Sequence, residues 1–552
     1  MAGPVLAWIG EGVLGVKVAC LNGLKLIKTR GPSQLQFWFI ALAIGIAAGF
    51  AALFFRLGIN WIQGLLYGAT DAARLETAVS RLAWYQVLII PILGGLAVGL
   101  ILDRFTDDGR ARSVSDVIEG AALNEGRVAV RRGFASALAS LITLSTGGSS
   151  GREGPVVHLA AVLSTIVCRL IRANGITGRD LLGCAVAAAV SASFNAPLAG
   201  ALFALEVVLR HFAVHAFAPI VIASVSGAVI NRLAFGDVTE FVLPVQNNLA
   251  FYVELPAFLL LGLVCGLVAF ILMRAVFWAD DLGTELQKAT GIPRYLRPAV
   301  AGALLGSLAI FWPHIIGVGY ETMSDALTGK MVMHEAIVFA VLKVVAVAIT
   351  FGGRMGGGIF SPSLMVGALT GLAFGAIATG IFPNMSGAVT IYALAGMGAV
   401  AAAVLGAPIS TTLIVFELTG DWQTAMAVMV SVSLSTALAS SLVDRSFFLT
   451  QLERRNVLAT FRVATVMRKV GSKRAAAEDA CWELVEQGVY IDGNATLERA
   501  MPMFEEANHA FIPVVTLGGD DSPPELWGAL FQVDALRAMN KALAATAKEE
   551  HS

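Results

Sequence analysis

The sequence predicts an all-α polytopic membrane protein, built from two inverted-topology halves of short, tilted and broken helices, with a small α/β aqueous domain after them. Three observations lead there. First, 57% of the 552 residues are apolar and only 14% are charged, against roughly 25% charged in ordinary soluble domains. Second, charge is unevenly placed: 23 of the 96 residues from Val457 to Ser552 are Asp, Glu, Lys or Arg, but only 54 of the 456 before them. Third, a block in the first half of the apolar body recurs in the second. The formal net charge of −1 gives no reason to expect a nucleic-acid partner. Cys20, Cys168, Cys184, Cys265 and Cys481 stand far apart, so neither a disulfide framework nor a zinc site is indicated.

Residues 4–26 are apolar but hold Glu11 and Lys17. That favours an N-terminal segment, 1–34, with a helix lying on the membrane interface rather than a span, and no signal peptide is read there. From 35 to 456, apolar stretches recur around 37–56, 86–102, 134–146, 156–171, 181–209, 213–231, 250–278, 298–315, 336–351, 363–382, 390–418 and 424–443. Several fall short of the roughly 20 residues that cross the hydrocarbon core, and others are long enough for two broken helices. Thr146-Gly-Gly-Ser-Ser and Phe351-Gly-Gly-Arg-Met-Gly-Gly-Gly interrupt the runs. Irregular backbone at membrane depth survives only where protein or a water-filled cavity satisfies it, so half-helices around a path are expected. Lys25, Lys28 and Arg30 precede the first span, while Arg454, Arg455, Arg468 and Lys469 follow the last. The positive-inside rule then places both termini in the cytoplasm and requires an even number of spans. A plasma (inner) membrane is the expected location.

The internal repeat is specific. Residues 184–206 read CAVAAAVSASFNAPLAGALFALE, and 395–417 read AGMGAVAAAVLGAPISTTLIVFE. Pro197 precedes Glu206, and Pro408 precedes Glu417, by the same spacing. Each block follows a Gly-rich loop ending in proline, Gly151-Arg-Glu-Gly-Pro155 and Gly356-Gly-Gly-Ile-Phe-Ser-Pro362. Halves of about 84–231 and 298–443 facing each other place a substrate site at their interface.

Those loops carry the chemistry. Glycine permits close backbone approach, and a proline just inside a helix marks its start. Helix starts present unpaired N–H groups and partial positive charge, which suits a small anion. Glu153, in the first loop, competes with an anion for the same amides, so its carboxylate reads as a gate and proton acceptor. An ionisable residue between apolar runs is a functional candidate by default.

Gly151-Arg-Glu-Gly-Pro155, Gly358-Ile-Phe-Ser-Pro362 and Phe194-Asn-Ala-Pro-Leu-Ala-Gly200 resemble the signatures of the CLC family of chloride channels and proton-coupled chloride exchangers. The resemblance covers roughly residues 35–456. It implies a homodimer with one pore per subunit, chloride or a similar small anion and protons as partners, and transport rather than enzyme activity. Glu153 becomes the gating glutamate. Backbone amides of Arg152, Glu153 and Gly154 become the outer anion site, and those of Ile359 and Phe360 the central one.

The departures matter as much. The family's filter serine falls in Ala111-Arg-Ser-Val-Ser-Asp116, on Arg112 without gaps or on Ser113 with a shift of one. Arg112 either faces the pore, binding a planar oxyanion such as bicarbonate or nitrate or pairing with Glu153, or turns to the cytoplasmic vestibule. Phe448, in Ser446-Phe-Phe448, takes the place of a tyrosine without its hydroxyl. The inner proton-relay slot is Val207, with no carboxylate; Glu206 is adjacent, but about 100° around the helix. These features favour channel-like or weakly proton-coupled flow, with anion/proton antiport as the alternative. His158 and Glu417 read as structural.

The tail, 457–552, resembles one CBS module, with part of a first copy at Phe461–Arg468. Strands are expected at Val489–Ile491, Phe511–Val515 and Leu526–Phe531, a helix at Thr496–Ala507, and a closing helix from Val533. A packing or dimerising role suits it better than adenine-nucleotide binding, and no other cofactor or metal is expected. Two further classes compete. A cation or organic-solute carrier needs acidic or aromatic residues at the broken helices; a membrane sensor reports nucleotide without transport.

Overall fold

The computed structural model describes residues 33–69, 74–210, 212, 214–236, 251–383, 386–443, 445–455, 463–470, 476–493, 495, 500, 503–504, 510–516 and 525–535. The expected interfacial helix in 1–34 lies almost wholly outside these residues. The chain divides into two compact units, residues 1–448 and 449–552, a few residues before the rise in charge density at 457.

The first unit is helical. In chain order come α1 (Gln34–Tyr67), α2 (Leu75–Val79), α3 (Trp84–Phe105), α4 (Val114–Leu123), α5 (Val130–Ser145), α6 (Glu153–Ile171), α7 (Gly175–Phe194) and α8 (Pro197–Phe203). A π turn, Ala204–Leu209, continues α8. Then follow α9 (Val214–Phe235), α10 (Phe251–Thr290), α11 (Arg297–Phe311), α12 (Tyr320–Leu327), α13 (Met333–Gly352), α14 (Phe360–Ile381), α15 (Val389–Leu405), α16 (Pro408–Thr419) and α17 (Trp422–Leu442), and α18 (Phe447–Arg454) begins here and runs on into the second unit. Among the described residues, eight helices are long and apolar enough to cross a membrane. The rest of the unit is short or broken, as the interrupted apolar runs predict.

Small residues let these helices approach closely, because lipid supplies no hydrophobic drive between helices and packing must. On α3 and α11 the fit is reciprocal: a Cβ on Gly95 would lie 2.2 Å from the Pro298 carbonyl oxygen, and one on Gly302 2.1 Å from that of Pro91. Helices α14 and α15 meet the same way, with Gly367 against the Gly396 carbonyl and Gly371 against that of Tyr392.

The repeat is visible in the caps. Helix α7 ends on Asn195 and α15 on Gly406, both left-handed at φ 57° and 68°. Each is followed by an alanine N-cap and a proline inside the first turn, Ala196-Pro197 and Ala407-Pro408. Asn and Gly are the residues that take the left-handed cap at least cost, and proline there lacks only an N–H the helix cannot use.

The second unit holds α19 (Val463–Val466), β1 (Arg468–Lys469), α20 (Glu478–Glu486), β2 (Ile491–Asp492), β3 (Phe511–Thr516) and β4 (Glu525–Phe531). The sheet order is β1-β4-β3-β2, with β2 parallel to β3 and the other pairs antiparallel. Val463, Ile491, Ile512, Val514 and Leu530 fill its core. The three expected strands coincide with β2, β3 and β4 to within two residues. The helix expected at Thr496–Ala507 and the continuation of that from Val533 lie largely outside the described residues.

Candidate functional site

The two Gly-rich loops meet. The Gly151 N–H donates to the Gly358 carbonyl at 2.7 Å, and the Gly358 N–H returns a bond to the Gly151 carbonyl at 2.8 Å. These glycines are repeat mates, each four positions before its proline. Mates that exchange identical bonds lie on the pseudo-two-fold axis between the halves. The bridge sets the first turns of α6 and α14 side by side, and a larger residue would crowd them: a Cβ on Gly358 would lie 2.9 Å from the Gly154 nitrogen, and one on Gly154 3.1 Å from the Gly358 Cα. The start of α4 joins them, since that Gly154 Cβ would stand 2.6 Å from the Ser113 Oγ. Helix starts leave N–H groups without intrahelical partners, so the junction concentrates donors and positive dipole ends at one buried point.

Glu153 is the first residue of α6 and only 2% exposed. Its Oε1 accepts from the Ser361 hydroxyl at 2.6 Å and from the Tyr320 phenol at 3.5 Å. Its Oε2 is buried with no hydrogen-bond partner among the described residues. Arg152 turns its guanidinium away to the Ser193 carbonyl, 3.3 Å, and over the Tyr320 ring, 5.2 Å from its centroid. Ile359 is the N-cap of α14, and Phe360 its first residue. The Phe360 ring packs 4.8 Å from Phe194 and 6.0 Å from Phe203.

Ser113 is the N-cap of α4, its N–H bonded to the Asp116 carboxylate at 2.9 Å. Of the two candidates in that segment, it is the one whose side chain stands at Gly154. The pairing of Arg112 with Glu153 is not found. The Arg112 guanidinium bridges Asp108 at 3.1 Å and Asp116 at 3.2 Å, aspartates four residues to either side that supply nearer counter-charges than the loop carboxylate. Phe448 is buried at the start of α18, its ring 5.9 Å from that of Phe447, which stacks on Phe277 at 5.0 Å.

Val207 is buried inside the π turn. Glu206 beside it is committed elsewhere: its carboxylate accepts from the Ile409 N–H at 2.9 Å and from the Ser410 N–H and hydroxyl at 2.8 Å each, capping α16. Glu417 does the same in return, accepting from the Leu198 and Ala199 N–H groups of α8 at 3.0 and 2.8 Å. This exchange repeats the two-fold relation of the glycine bridge. The Glu206 carboxylate, adjacent to the Val207 slot, is thus a helix cap in this structure.

Sequence reasoning missed three residues here. Ser361 is one small residue of a Gly-rich motif with nothing local to mark its hydroxyl, and Tyr320 comes from a distant short helix that no local pattern ties to Glu153. Lys343 interrupts an apolar run on α13; it is fully buried and donates to the Ile315 and Gly317 carbonyls at 3.2 and 2.9 Å, fixing the turn that leads to Tyr320. A charge inside an apolar span was the available signal. Among the described residues no group of three metal-ligating side chains occurs.

Comparison with known proteins gives the family. The family model "voltage gated chloride channel" matches residues 94–440. A putative chloride channel protein, ClcB-like, of Ralstonia nicotianae is 31% identical over 396 residues, covering 71% of this chain and 91% of that protein. The voltage-gated ClC-type chloride channel ClcB of Escherichia coli is 28% identical over 423 residues, covering 74% and 97%. The crystal structure of a slow cyanobacterial Cl⁻/H⁺ antiporter shares the fold at a TM-score of 0.66 and 20% identity, covering 76% of this chain and 97% of its own. The chain is an integral membrane protein and belongs to the CLC family of voltage-gated chloride channels, whose members are channels or transporters and not enzymes.

Proposed function

We propose that this protein carries chloride or a similar small anion across the membrane through the junction of α4, α6 and α14, with Glu153 as its gate. The observation that carries the reading is the Gly151–Gly358 bridge, which brings two helix starts and a buried carboxylate to one point. The amides of Arg152, Glu153 and Gly154 form the outer anion site. Those of Ile359 and Phe360, with the Ser113 hydroxyl, form the central one. Ionised Glu153 occupies the place of an anion; protonation neutralises it and lets it withdraw. Arg112, neutralised by two aspartates, is left out of the site, and with it the preference for planar oxyanions.

Flow is channel-like or weakly proton-coupled, because the inner slot is Val207 and the neighbouring Glu206 carboxylate is engaged with α16. The protein works as a homodimer in a plasma membrane with both termini in the cytoplasm, and its tail packs or dimerises. Halide efflux from proteoliposomes tests the reading: Glu153→Ala and Glu153→Gln remove the pH dependence of flux. Variants and parent that leak no faster than empty vesicles overturn it. Proton movement under an imposed chloride gradient decides the mechanism, a fixed anion-to-proton ratio meaning antiport.

A further inference from the structure

Glu153 is held more specifically than a free gate requires. Both hydroxyls that reach it converge on one oxygen, Oε1, from the second half of the fold: Ser361 on the first turn of α14 and Tyr320 at the start of α12. Ser361 is fully buried and Glu153 nearly so, so neither bond is exchanged cheaply for water. The Ser361 bond, at 2.6 Å, has the length of a charge-assisted O–H···O⁻ contact. Oε2 is treated differently: it is buried, has no hydrogen-bond partner among the described residues, and rests against Gly151, where a Cβ would come within 2.6 Å. One oxygen takes both hydroxyls, and the other takes no donor among the described residues.

We propose that Ser361 and Tyr320 form a two-hydroxyl latch that holds ionised Glu153 in its seated position, leaving Oε2 as the atom that takes the releasing proton. The inference rests on Glu153 being the gate. Two hydroxyl donors on one oxygen hold the side chain in place, so the latch opposes its withdrawal.

The charged groups around it have other work. The Arg152 guanidinium lies on the Tyr320 ring and the Ser193 carbonyl. Lys343 of α13 binds the Ile315 and Gly317 carbonyls, and Arg112 ahead of α4 binds Asp108 and Asp116. Lys343 and Arg152 thus position Tyr320 from two sides, the first through the preceding turn and the second through its ring. The latch itself is made of neutral groups, a serine and a tyrosine hydroxyl.

The test is a cycle of variants in proteoliposomes, read as halide efflux across a pH series. Loss of one bond to a charged group shifts an equilibrium by about ten- to a hundredfold. Ser361→Ala should therefore raise flux at neutral pH by about tenfold or more and move the half-maximal pH upward. Tyr320→Phe, which loses the longer bond, should do the same by a smaller factor and serves if Ser361→Ala does not fold. In a Glu153→Ala background both substitutions should leave flux unchanged. A parent-like pH profile in Ser361→Ala or Tyr320→Phe, with Glu153→Ala still altering it, overturns the latch and leaves the gate standing. An equal effect with and without Glu153 also overturns the latch. Failure of Glu153→Ala itself to alter flux overturns the underlying reading.

Discussion

The reciprocal caps between the halves give the most quantitative prediction. Glu206 receives three hydrogen bonds at the start of α16, and Glu417 two at the start of α8. Glutamine in either place keeps the shape but turns an NH₂ group toward N–H donors, so at least one backbone donor of the capped turn loses its acceptor. Losing a helix cap costs about 0.5–2 kcal/mol. Taking about 2 kcal/mol, the local opening equilibrium of the capped turn shifts by about 30-fold. Because opening is local, the effect should stay where the bonds are. Glu206→Gln should speed amide exchange by about that factor in a peptide covering residues 408–412, and leave one covering 197–201 near parent rates. Glu417→Gln should do the reverse. Exchange measured by mass spectrometry on the protein in detergent reads both peptides at once. Unchanged exchange at the partner helix, or equal acceleration at both, would refute the exchanged-cap reasoning.

Two further outcomes follow from the site. Arg112→Ser should leave anion selectivity and flux near the parent's, because its guanidinium is neutralised by Asp108 and Asp116; a changed chloride-to-nitrate ratio in liposome efflux would return it to the pore. Gly154→Ala should suppress flux and cost about 1–3 kcal/mol of stability through overpacking, because its Cβ would lie 2.6 Å from the Ser113 Oγ and 3.1 Å from the Gly358 Cα. Parent-like efflux would show that the junction is looser than described.

What could be read beforehand was local. The loop motifs, the proline starts and the repeat are written in neighbouring residues, and the structure turns each into a helix start or cap at the expected place. Glu153 was legible because a carboxylate between apolar runs stands out in one dimension. Its partners were not: Tyr320 reaches it from 167 positions away, and Ser361 looks like any small residue in a Gly-rich loop until α14 is placed against α6. The choice between Arg112 and Ser113 was likewise undecidable from spacing, since a shift of one residue at a helix cap turns a side chain to another side. Glu206 shows the converse. Its position on the helix argued against a relay, but only the exchange with α16 reveals what the carboxylate does instead. The tail was legible as strands, because alternating and β-branched residues mark them.

The central claim is that opposed helix starts at the Gly151–Gly358 bridge hold an anion. Crystals of the Glu153→Gln protein grown in bromide and measured at its absorption edge test it most directly. The account predicts an anomalous peak within hydrogen-bonding reach of the Phe360 amide and the Ser113 hydroxyl. Bromide found elsewhere in the fold, with none at this junction, would contradict it.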